Sequence, residues 1–131
     1  MQIRTIGEQA SQVGSPDTFT GRVRMENRFA FPAPGRTAAA IVTFEPGART
    51  AWHAHPLGQF LFVSMGEGWV QAEGQAKRTV RAGDTVFFEA GERHWHGATD
   101  ARAMSHVAIQ ESQDGSPVTW LEHVSDADHL A

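Results

Sequence analysis

The feature that most restricts this chain is a rhythm of short β-prone runs cut by glycine turns. Ala38 to Phe44 is followed by Glu45-Pro-Gly47, Gln59 to Ser64 by Gly66-Glu-Gly68, and Trp69 to Ala72 by Glu73-Gly74. Arg78 to Val80 precedes Arg81-Ala-Gly-Asp84, Thr85 to Phe88 precedes Glu89-Ala-Gly91, and Met104 to Gln110 comes before Asp114-Gly115. Runs of β-branched and aromatic residues bounded by turn residues read as strands. Many short strands close into a barrel or a sandwich. No long segment carries apolar residues at helical period, so helices should be few. Ser125-Asp-Ala-Asp128 can cap one short helical turn.

With 131 residues the chain is one domain of ordinary size, able to bury a core without staples. Its first 36 residues are more polar and less regular, with Phe19, Val23, Met25 and Phe29 to Phe31 as their apolar content. This organisation predicts an arm over 1–36 and a barrel over 37–131. The arm can pack across a neighbouring subunit, making a dimer, or lie as an edge strand on its own barrel.

Composition removes several classes of function. With no cysteine there is no disulfide, thiolate zinc site, iron–sulfur cluster or nucleophilic thiol. The net charge is -4 and the Lys and Arg residues are scattered singly, so no basic stripe is present for nucleic acid. The N-terminus lacks a continuous apolar stretch and no run is long enough to span a bilayer, which predicts a cytoplasmic protein without a membrane partner.

Against this background the histidines stand out. His53 and His55 alternate with Ala54, so on an extended strand both point to one face, about 6.6 Å apart along the backbone. Gln59 follows four positions later and His94 after a hairpin's worth of chain, a spacing suited to a metal cage. On the next strands His94 and His96 share a face, as do His106, Ala108 and Gln110, and as do Ala40, Val42 and Phe44. If those faces are interior, the metal sits among small apolar side chains with two further histidines and an amide, a setting for a small organic substrate.

The order Gly47, His53-Ala-His55, Gln59, Gly66, then Gly83, Glu89-Ala-Gly91, His94 and Ala98, with 16 residues between the two groups, resembles the paired motifs of the cupin superfamily. Glutamate is usual where Gln59 stands, proline where Glu89 stands and asparagine where Ala98 stands; the last two positions shape turns. More narrowly, Phe44 to His53, His55-Pro-Leu-Gly-Gln59, His94-Trp-His96-Gly-Ala98, Ala108 to Glu111 and Glu122-His-Val124 resemble the small manganese cupins of soil bacteria that act as hydroxynitrile lyases. The resemblance implies an antiparallel, all-β barrel of jelly-roll type, a homodimer or homotetramer, a manganese site at His53, His55, Gln59 and His94, and pocket positions at Ala40, Val42, His96, His106 and Gln110. By ligand chemistry alone imidazole suits Fe(II), Zn(II), Ni(II), Co(II) and copper as well.

Three neutral imidazoles and an amide oxygen leave a dipositive charge uncompensated, which favours anion binding and carbonyl polarisation. On this reading the chain cleaves or forms cyanohydrins, with His96 as the proton shuttle, His106 and Gln110 orienting hydrogen bonds, and Ala40 and Val42 leaving room for an aryl or alkyl group. His96 could instead ligate or orient a ligand, and His106 could be a satisfied core residue. A dioxygenase or isomerase on the same site, or a non-enzymatic binding protein for a small molecule, are the competing readings. Trp52, Trp69, Trp95 and Trp120 read as packing or subunit contact. His123, His129, Glu45 and Arg49 read as surface residues.

Overall fold

The computed structural model describes all 131 residues. It holds twelve strands and one helix: β1 (Gln12–Val13), β2 (Phe19–Thr20), β3 (Val23–Ala30), β4 (Thr37–Phe44), β5 (Arg49–Thr50), β6 (His53–Ala54), β7 (Gln59–Ala72), β8 (Arg78–Arg81), β9 (Thr85–Phe88), β10 (His94–Ala98), β11 (Met104–Glu111), β12 (Thr119–Trp120) and α1 (Asp126–Leu130). Every pairing is antiparallel, and the strands form one curled sheet in the order β1-β3-β4-β11-β7-β10-β5-β2. Strands β8 and β9 add to β7, while β6 bridges β10 and β12. The all-β architecture read from the turn rhythm is what folds, curled into the barrel that the resemblance implies. Ser125 caps α1 as expected, its hydroxyl accepting from the Asp128 amide at 3.0 Å. No helix is long and apolar enough to cross a membrane.

One segment departs from the sequence reading. Gln59 to Ser64 and Trp69 to Ala72 are not two strands around a reversing turn; they are the halves of the single 14-residue β7. Its first half pairs with β9 and β11, its second with β8 and β10. The glycines mark a bend within it. A Cβ at Gly66 would lie 1.9 Å from the carbonyl oxygen of Ala103, and one at Gly68 would lie 2.4 Å from that of Gly97. Ser64 has no partner in the register between Ser105–Met65 and His106–Val63, a bulge that adds to the twist there.

Residues 23–30, at the end of the expected arm, pair with β4 of the same chain. Along β7 burial alternates, with Gln59, Leu61 and Val63 inside and Phe60, Phe62 and Ser64 outside. Leu61 and Val63 join Val23, Val42, Phe44, Ala48, Val70, Val80, Phe88, Ala98, Met104 and Ala108 in one apolar core. Phe44 roofs that core, its ring centroid 5.9 Å from His96 and 5.5 Å from His106. Above it the interior turns polar.

Candidate metal centre

The polar end of the barrel gathers six inward side chains: His53, His55, Gln59, His94, His96 and His106, all buried. His53 faces His94 in the β6–β10 register, and their ring centroids are 4.2 Å apart. The His55 ring stands 5.2 Å from His53 and 5.6 Å from His94. Gln59 opens β7, opposite Gln110 of β11.

Hydrogen bonds decide which nitrogen each ring turns inward. His53 Nδ1 donates to the Ala51 carbonyl at 2.9 Å, His55 Nδ1 to Pro117 at 2.7 Å, and His94 Nδ1 to Glu92 at 2.7 Å. Each Nε2 is then a lone-pair donor for an ion, the arrangement usual in ligating histidines. His55 Nε2 is buried with no partner at all. His94 Nε2 lies 3.3 Å from Gln59 Oε1, two acceptors that face each other to mutual benefit only across a cation. The Gln59 amide donates to Gln110 Oε1 at 3.2 Å, which turns the Gln59 oxygen toward the site. The residues therefore fit a divalent metal.

A cluster of three histidines adds a further candidate. One nitrogen from each of His53, His94 and His96 lies within 4.8 Å of the others. His96 Nε2 is buried without a partner, its amide donates to Thr50 Oγ1 at 3.2 Å, and its Nδ1 lies 3.1 Å from His106 Nε2. Burial holds the His53, His55 and His96 imidazoles below the ordinary histidine range, and lowers those of His94 and His106 to about 4. All five are neutral near pH 7. They can ligate a cation or accept a proton.

The remaining pocket positions follow from strand register. Val42 lies opposite His106, and Ala40 opposite Ala108. Phe88 lies flat on His94, centroids 3.6 Å apart and planes 11° apart. Phe88 also lines a cavity of about 700 Å³ together with Val70, Ala72, Val80 and Val86, with Arg78 and Asp84 among its polar groups.

Two surface assignments from the sequence are corrected. Arg49 is only 4 % exposed, because its guanidinium reaches inward to backbone carbonyls. His129 is 2 % exposed, because α1 folds it onto Trp69 and Trp95. His123 and Glu45 are exposed as read. The sequence reading also missed Pro117, Trp120 and Phe88 as neighbours of the histidines. A carbonyl acceptor leaves no trace in residue type; the Trp120 ring, 4.7 Å from His53, is a packing tryptophan that happens to pack on the site.

Comparison with known proteins agrees with this fold. A family model described as a cupin domain matches residues 40–109. An (R)-mandelonitrile lyase of Granulicella tundricola is 56% identical over 126 residues, 96% of this chain and 96% of the relative. The crystal structure of a cupin-like protein from Thermotoga maritima superposes with a TM-score of 0.84 at 35% identity, covering 98% of this chain and 95% of the other. A polyketide cyclase from Streptomyces resistomycificus gives a TM-score of 0.75 at 14% identity over 98% of this chain and 90% of its own, a likeness of fold alone.

Proposed function

The chain belongs to the cupin family, and from that premise we propose that it is a metal-dependent lyase that cleaves cyanohydrins and forms them in reverse. The near full-length likeness to a mandelonitrile lyase carries the choice of reaction, and the neutral, buried histidine cluster supports it. A bound divalent cation supplies Lewis-acid stabilisation of negative charge on the substrate oxygen.

The protein's own groups handle the proton. His96 Nε2 takes the hydroxyl proton of the cyanohydrin as the carbon–carbon bond to cyanide breaks, then gives it to the departing cyanide, so aldehyde and hydrogen cyanide leave. His106 holds His96 Nδ1, which fixes the face that Nε2 presents. Gln110 orients Gln59 and offers its amide to the substrate. Ala40 and Val42 are small enough to leave space for an aryl group on the β4 wall. Burial excludes bulk water, which would compete for the proton.

Manganese is the ion we propose for His53, His55, Gln59 and His94, on the resemblance to manganese cupins. We further propose a cytoplasmic homodimer or homotetramer, joined through residues 1–36 and the outer sheet face. Phe60, Phe62 and Phe87 support this, being 36%, 41% and 57% exposed on adjoining strands β7 and β9.

Metal analysis of purified protein, coupled to mandelonitrile cleavage with and without chelator, tests the assignment. Cyanide release that needs the metal is expected. Metal-loaded protein that releases none overturns it.

A further inference from the structure

The C-terminal chain forms one wall of the site. Strand β12 pairs with β6, placing Trp120 opposite His53, and Pro117 supplies the carbonyl that orients His55. Trp52 donates to Glu122 O and Leu121 donates to Trp52 O, each at 2.9 Å. His55 differs here from its fellows. The carbonyls that orient His53 and His94 lie two residues away in the same segment, whereas Pro117 lies 62 positions from His55. The orientation of His55 therefore depends on where the tail sits.

Two anchors hold the tail beyond the site. The buried Arg49 guanidinium donates to Val124 O through Nε at 3.1 Å and Nη2 at 2.8 Å, to Gly47 O, and to Asp126 Oδ1 at 2.6 Å. His129 Nε2 donates to Ala98 O at 3.1 Å, its ring packs on Trp69 and Trp95, and its carbonyl accepts from Lys77 Nζ at 2.5 Å. A guanidinium so fully committed to backbone carbonyls is a clamp.

We propose that Pro117 to His129 form a positioning strap for the metal centre, and that Arg49 and His129 set metal affinity and ligand geometry without touching the ion. The inference rests on the metal reading given above. When the strap loosens, His55 Nδ1 loses its acceptor and the ring is free to turn. Loss of the group that orients a ligating histidine costs about 10–100-fold in metal affinity.

Cobalt(II) titration followed by visible absorption, which reports ligand geometry, tests this on the wild type and on Arg49→Met, His129→Ala and His129→Gln. Metal-free thermal melts run alongside to show that each variant folds. Arg49→Met and His129→Ala should bind cobalt at least about tenfold more weakly, with an altered spectrum, and His129→Gln, which keeps a donor for Ala98 O, should recover most of the affinity. Wild-type affinity and spectrum in both loosening variants overturn the strap and leave the metal reading standing. A wild type that takes up no cobalt overturns both.

Amide exchange of the wild-type protein provides a test that no folding defect can obscure. Because linkage is reciprocal, cobalt should slow exchange at Leu121 and His129. Unchanged exchange at both overturns the strap.

Discussion

Nε2 of His106 lies 3.1 Å from Nδ1 of His96, and the other nitrogen of each ring is buried without a partner. With the shared proton on His96 Nδ1 and His106 Nε2 accepting it, His96 Nε2 is the free working atom. His96→Ala should lower turnover by about 10²–10⁴-fold while metal content stays unchanged. Full activity would remove His96 as the base, and loss of metal would make it a ligand. His106→Phe keeps the ring volume but frees His96 to turn; kcat should fall less than in His96→Ala, with metal retained.

Gln59→Glu places a negative charge where a neutral amide now faces His94 Nε2 at 3.3 Å. The variant should retain its divalent ion but bind azide and cyanide more weakly, because the site's net positive charge drops. Anion titrations of the two metal-loaded proteins measure this. Equal affinities would show that charge at position 59 does not govern anion binding.

The metal-free protein should lose stability in mild acid. Burial lowers the pKa of His53, His55, His94, His96, His106 and His129 below the free value of 6.5. The unfolded chain thus binds more protons below that pH, so stability is full above about 6.5 and lost as pH falls toward the value of about 4 at His94 and His106. Thermal melts between about pH 7.5 and about pH 4 follow it. A Tm that stays flat would mean that the cluster is more solvated than its burial implies.

Phe60 and Phe87 sit opposite each other on the outside of the barrel. Phe60→Glu combined with Phe87→Glu should shift the protein to monomer in analytical ultracentrifugation, with little effect on the barrel because both side chains point outward. If the double variant sediments like the wild type, the subunits join elsewhere.

Side-chain alternation made much of the site legible in the sequence. His94 and His96 share a face, as do Gln59, Leu61 and Val63, because a pleated strand permits nothing else. The continuity of β7 was not legible, since a glycine pair that bends a strand and one that reverses it look alike in residue type. The buried Arg49 and His129 were hidden for a different reason. Their burial is created by a tail that returns from over 70 positions away to satisfy Arg49, and no local pattern announces such a partner.

Strand β7 starts and finishes at the same residue: Gln59 Oε1 lies 3.3 Å from His94 Nε2, while Ala72 pairs with His94 across the sheet. The strand is in effect a pair of tongs closed on one histidine, with its pivot at Gly66 and Gly68. Since a single methyl group at position 66 would meet the Ala103 carbonyl at 1.9 Å, even an alanine there would spring the jaws. A lesion at mid-strand, remote from either jaw, would then present in the test tube as a failure to hold metal.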